Sequence, residues 1–162
     1  VGSEMCIRDS MYDVLQGISD HAKLQIVLNA VEKGSNPWGC TDYLNQKKKI
    51  LETGADVYEL MNDYPVHTKA VLINDRLSVV GSYNLDMRST YLDTELMLVI
   101  DSEKLSQQIH ETESDYMEKS KEVLANGQET EGAKYQGKVL NRKKKLYYGV
   151  LRIIIRPLRQ LL

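Results

Sequence analysis

HTKAVLINDRLSVVGSYNLDMRSTYLDTELMLVID, residues 67–101, is the stretch that decides the fold. It opens on His67-Thr68-Lys69 and runs into the apolar segment Ala70–Ile73. Asn74-Asp75-Arg76 then separates that segment from a second apolar run, residues 77–80, and reads as a tight hairpin. Gly81-Ser82-Tyr83-Asn84 follows, and Glu95 stands before a third run, residues 96–100. On a strand, residues two apart point the same way. His67 and Lys69 thus share one face, and so do Ser82 and Asn84. Pairing the strands is expected to bring the two faces together, with one carboxylate nearby. Imidazole, ammonium, hydroxyl and amide groups gathered in this way suit an anionic phosphodiester.

Working outward, helical and strand patterns alternate. Residues 11–22 carry apolar side chains at helical spacing, and residues 24–31 read as a buried strand. Residues 34–40 have loop composition, and residues 43–52 form a helix capped by Thr41 or Asp42 and closed at Gly54. Lys47-Lys48-Lys49 reads as a solvated face of it. Residues 56–61 read as a strand leading to His67, and residues 102–124 as a helix capped by Ser102. The alternation predicts an α/β sandwich.

The residues quoted above resemble the second HxK motif of the phospholipase D superfamily, whose pattern is H-x-K-x4-D-x6-G-S/T-x-N with a Glu further on. His67, Lys69, Gly81, Ser82, Asn84 and Glu95 match it, and Ser82 lies fifteen residues after His67. The run from Asn84 to Ser89 is similar to bacterial cardiolipin synthases. One position departs: Asn74 stands at the motif Asp, a residue that supports the fold in the family, and Asp75 is one place late. The resemblance covers residues 11–125. It implies a phospholipase D-type mixed β-sheet flanked by helices, one half of a two-lobed enzyme. It also implies phosphodiester hydrolysis or phosphatidyl transfer on phospholipids, with no metal or cofactor. In two-motif members one His forms a phospho-histidine and the other protonates the leaving group. By that likeness His67 is the acid, Lys69 neutralises a phosphate oxygen, Ser82 and Asn84 hold the phosphate, and Glu95 orients an imidazole. Asn29, at a strand end, and the loop residues Ser35, Asn36 and Trp38 border the site. Trp38 reads equally as a contact for lipid and as a loop anchor.

A second H-x-K, His21-Ala22-Lys23, lacks the following Asp and has Gly34-Ser35 one residue short of the motif spacing, so it reads as the polar end of a helix. Residues 1–10, VGSEMCIRDS, read as a non-native leader, which implies that the natural chain is longer and carries the first HxK motif upstream. Cys6 and Cys40 suggest no disulfide framework, and Cys40 reads as a small apolar residue. No secretory signal pattern is visible, and no apolar run approaches the ~20 residues of a membrane span.

Charge is unevenly distributed. The net charge is −2, yet residues 138–162 carry eight basic side chains and no acid, leaving −10 on the rest. An acidic body argues against nucleic acid as the partner. Residues 126–138 read as a Gly-rich polar linker, and residues 139–162 as a basic amphipathic helix that Pro157 kinks or ends. Such a helix suits an anionic membrane surface. The alternative is that it packs on a missing domain. The expected setting is peripheral, on a bacterial-type cytoplasmic membrane, with either the upstream half or a second copy completing the site. Two other functions compete: a phosphodiesterase or nuclease of the same superfamily, and a catalytically incomplete fragment that binds lipid.

Overall fold

Two parallel strands, β1 (Gln25–Asn29) and β2 (Asp56–Leu60), are joined by helix α2 (Pro37–Glu52), with Ile26 opposite Val57 and Asn29 opposite Leu60. A parallel pair needs such a crossover, because no short turn can reverse the chain between its ends. The computed structural model describes residues 9–158. β6 (Ser120–Val123) pairs antiparallel with β2, and β7 (Glu129–Glu131) pairs antiparallel with β6, giving the order β1-β2-β6-β7. A second sheet, β3 (Ala70–Ile73), β4 (Leu77–Gly81) and β5 (Met97–Asp101), is an antiparallel meander. Helices α1 (Asp9–Ser19), α3 (Met87–Tyr91), α4 (Glu103–Glu118) and α5 (Arg142–Leu158) complete the chain. The expected α/β class with flanking helices is present, built on two sheets, of which the four-stranded one is mixed.

The main apolar core lies between α2 and the parallel pair, where Ile50 and Val57 are fully buried beside Leu28 and Tyr43. One ion cluster is built into its edge. Tyr43 Oη donates to Glu59 Oε1 at 2.7 Å, Lys47 Nζ meets the same oxygen at 2.7 Å, and Lys121 Nζ stands 3.1 Å from Oε2. Burial alone would raise the Glu59 carboxyl; the two lysines and the Tyr43 hydroxyl outweigh it and hold the carboxyl below its usual value. α4 covers one face of the meander, where the buried hydroxyls of Ser78 and Ser106 lie 2.8 Å apart.

Several sequence expectations are corrected. α2 starts six residues early: Asn36 caps it by accepting from Trp38 N at 3.0 Å, with Pro37 in the first turn, and neither Thr41 nor Asp42 is the cap. Asn-Pro is a helix-start signal in its own right, since proline needs no N–H partner there. The three lysines share no single solvated face, because consecutive helical residues turn by about 100°. Lys47 enters the Glu59 cluster, Lys48 lies 3.6 Å from Glu52, and Lys49 stands 5.5 Å from the centre of the Tyr12 ring.

The helix expected over residues 102–124 stops at Glu118, and Ser120–Val123 becomes β6. The edge of β2 needs a partner for its peptide groups, and that tertiary demand overrides a short polar run's local preference. Residues 126–138 are likewise no bare linker. They hold β7, reached through a turn where Gly127 has φ +82°. The readings of residues 1–8, Cys6 and the residues after Leu158 lie outside the described part. α5 contains Pro157 within its last turn.

Candidate active site

The hairpin turn of residues 74–76 sets the geometry of the site. Ile73 pairs with Leu77 and Ala70 with Val80, so Asn74 must turn the chain, and its φ is +52°. Among non-glycine residues, Asn and Asp tolerate that left-handed conformation best. Beyond the ladder, Gly81 N donates to Lys69 O at 3.2 Å, which sets Gly81 across from Lys69. A Cβ on Gly81 would sit 2.1 Å from Leu96 O and 2.5 Å from Met97 Sδ. Glycine is therefore required for β5 to approach β4 at the site.

Lys69 is only 8% exposed, whereas His67 is exposed. Lys69 Nζ donates to the His67 carbonyl at 3.1 Å and lies 2.9 Å from Nδ1 and 3.0 Å from Nε2 of the same ring. Nζ is nearly equidistant from the two ring nitrogens, so the contact singles out neither of them. The buried cation and the exposed imidazole form one unit at the start of β3.

Ser82 belongs to this unit through Glu95. The expectation that the His67/Lys69 and Ser82/Asn84 faces would meet directly is modified, since it is Gly81 that stands across from Lys69. Ser82 lies past the end of β4, where its N–H donates to Leu96 O at 3.0 Å and its Oγ accepts from Leu96 N at 3.1 Å. The Ser82 hydroxyl donates to Glu95 Oε2. Hydrogen bonds from Ser82 and Ser89 hold the Glu95 carboxyl below its usual range, and the Lys69 charge acts in the same direction. Glu95 is thus ionised and coupled electrostatically to Lys69.

Asn84 is placed by its backbone. Its N–H donates to Ser89 Oγ at 3.3 Å and its carbonyl accepts from Asp86 N at 2.8 Å. Asp86 caps α3 by accepting from Ser89 N at 2.6 Å. Ser89 was missed by the sequence reading. The signal was available as Asp86-x-x-Ser89, a cap followed by a hydroxyl in the first turn.

The residues expected to border the site divide. Asn29 is tied to the HxK segment: its side chain bonds both peptide groups of Val66, the residue before His67. Ser35, Asn36 and Trp38 form the entry to α2, with Asn36 as its cap and Trp38 42% exposed. The second H-x-K lies just after α1, where His21 Nδ1 stands 2.9 Å from Gly17 O and Lys23 pairs loosely with Asp56 at 3.8 Å. Among the described residues, no three His, Cys, Asp or Glu side chains gather as metal ligands.

Residues 8–115 match the family described as cardiolipin synthase, PLD-like domain. The chain is 37% identical to cardiolipin synthase A of Proteus mirabilis over 94 residues, 58% of this chain and 19% of that protein. It is 32% identical to cardiolipin synthase A of Serratia proteamaculans over 105 residues, 65% of this chain and 20% of that protein. The chain therefore matches about a fifth of the length of these relatives. Its fold is similar to Nuc, a phospholipase D family member from Salmonella typhimurium, with a TM-score of 0.62 and 16% identity over 81% of this chain and 79% of that one. It is also similar to phosphatidylserine synthase of Haemophilus influenzae Rd KW20, with a TM-score of 0.68 and 14% identity over 99% of this chain and 40% of that one. The chain belongs to the cardiolipin synthase, PLD-like domain family of the phospholipase D superfamily.

Proposed function

We propose that this chain is the second catalytic half of a phospholipase D-type enzyme that hydrolyses or transfers the phosphodiester of phospholipids. The observation that carries the reading is the coupled group at the start of β3. A nearly buried lysine lies against an exposed imidazole, and its charge acts on Glu95, which two serines hydrogen-bond.

The roles follow from the chemistry of each group. A nucleophile on the facing half attacks phosphorus, and the bond from phosphorus to the leaving oxygen breaks. His67 gives its proton to that alkoxide, which would otherwise be a poor leaving group. Lys69 offsets charge on a non-bridging oxygen, and Ser82 and Asn84 are the further residues we assign to the same phosphate. Glu95 orients an imidazole and stabilises its charged form. Water or an alcohol then takes the phosphatidyl group from the nucleophile and returns a proton to His67. The nucleophile comes from an upstream half or from a second copy, because one HxK motif supplies one such imidazole. The setting is peripheral on an anionic membrane. Among the described residues no helix is long and apolar enough to cross one.

The test is an assay of a longer protein that includes the upstream sequence, alongside this chain. Substrates are phospholipid vesicles, a soluble phosphodiester and single-stranded DNA. Turnover of lipid above DNA supports the reading. Turnover of DNA with none of lipid replaces it with the nuclease reading.

A further inference from the structure

α5 is apolar on two opposite sides, and among the described residues only one of them is packed. Tyr148, Leu151 and Ile155 are buried, at 8%, 8% and 0% exposure. They hold α5 against the body, and Tyr148 joins the core that includes Tyr43 and Ile50. Asn45 on α2 locks the register. Its Oδ1 accepts from Arg152 Nε at 2.9 Å, and its Nδ2 donates to Arg152 O at 3.2 Å. The tail is a docked helix and not a free peptide.

The outward side carries Leu146, Tyr147, Val150, Ile153 and Ile154, at 71%, 51%, 51%, 71% and 49% exposure. At about 100° per residue, four of these, all but Tyr147, fall within one sector roughly 100° wide, opposite the docked side. Arg142, Lys145, Arg152 and Arg156 fall together on one flank between the two sides. α5 contains six basic residues and no acidic one.

We infer that this outward face of α5 is a docking surface for an anionic lipid bilayer, with the Leu146/Val150/Ile153/Ile154 stripe entering the acyl boundary and the basic flank lying at headgroup depth. The inference rests on the reading that the chain works at a lipid surface, and it names the side chains that make the contact. Charge decides the occupant. An apolar groove of another protein would cover the stripe but would leave the clustered cations without countercharge. Anionic headgroups above an acyl layer satisfy both at once, since long basic side chains lay their stems on apolar surface and keep their charge at the interface. An undocked amphipathic tail would instead insert Tyr148, Leu151 and Ile155, which here face the protein core.

The test is co-flotation of the chain with phosphatidylcholine vesicles made with and without phosphatidylglycerol. The parent chain binds only the anionic vesicles, and binding weakens with salt. Val150→Glu with Ile153→Glu weakens it by more than about tenfold, because both charges would enter the acyl boundary. Arg142, Lys145 and Arg156 on the basic flank changed together to Gln weaken it roughly a hundredfold, at about fivefold per charge. All these positions are exposed, so the melting temperature stays at the parent value. Ile153→Ser serves as a milder variant should the Glu pair fail to fold. Absence of parental binding to anionic vesicles overturns the inference, as does binding indifferent to the face substitutions. A parental dimer dissociated by Ile153→Ser overturns it too, and makes a protein the occupant. Cleavage of a soluble phosphodiester by the longer protein, with and without the substitutions, tests the catalytic reading separately.

Discussion

The side-chain amide of Asn29 grips Val66 by both of its peptide groups: Nδ2 donates to the Val66 carbonyl at 2.8 Å and Oδ1 accepts the Val66 N–H at 2.8 Å. Asn29 ends β1, and Val66 immediately precedes His67. The side chain thus acts as a one-residue strand partner for the segment that carries the imidazole. Asn29→Ala is expected to cost about 1–3 kcal/mol of stability, since two peptide groups lose their partners. On the proposed role of His67, in a protein that includes the upstream sequence it is expected to lower kcat by roughly tenfold to a hundredfold with little change in KM, because it would displace the acid without removing a substrate contact. Asn29→Asp keeps the acceptor for Val66 N–H and recovers part of the loss. Steady-state kinetics beside thermal melts check both parts.

Asn74 stands where the family pattern has Asp, and its φ of +52° is one that Asn and Asp both tolerate. Asn fits the left-handed turn between β3 and β4 well. Asn74→Asp is expected to be nearly neutral in melting temperature. Asn74→Val is expected to destabilise by about 1–2 kcal/mol, because a branched Cβ crowds the following carbonyl there. A Val variant as stable as the parent would show that the turn relaxes to negative φ.

The Glu59 cluster predicts an acid limb in stability. The Glu59 carboxyl is held below its ordinary value of 4.5 by Lys47, Tyr43 and Lys121, against the opposing effect of burial. A carboxyl depressed on folding contributes its full stability above the unfolded value and loses it as pH falls through the folded one. Melting temperature should therefore fall below about pH 4.5 in the parent, and less so in Glu59→Gln. At neutral pH that substitution is expected to cost about 1–3 kcal/mol, at the low end because Lys47 and Lys121 are partly solvated. Denaturant melts across the acid range supply the comparison.

The hairpin of β3 and β4 was legible because its signals are local: two short apolar runs, a polar turn, and a period of two. The same holds for β2 and for the cap of α4 at Ser102. What was hidden depends on partners distant in sequence. Residues 120–123 are strand because β2 has an open edge, and nothing in Ser-Lys-Glu-Val requires it. Lys47 points inward because Glu59, twelve residues on, is buried beneath it. At the candidate site, the spacing of His67, Lys69, Ser82 and Glu95 was visible in the sequence, but not the contacts around them. The bend after Gly81 turns Ser82 onto Glu95, and Ser89 enters only because Asp86 starts a short helix there. Asn29 was placed at the rim of the site by likeness; its grip on Val66 joins residues 37 apart in sequence, beyond the reach of a local pattern.

The central claim is that His67 carries the proton in phosphodiester chemistry, and its most direct test is kcat of the longer protein with and without His67→Ala on a phospholipid substrate. The account predicts a loss of at least about a hundredfold, the usual worth of a positioned general acid, with folding unchanged because His67 is exposed. Turnover within a few-fold of the parent would contradict it.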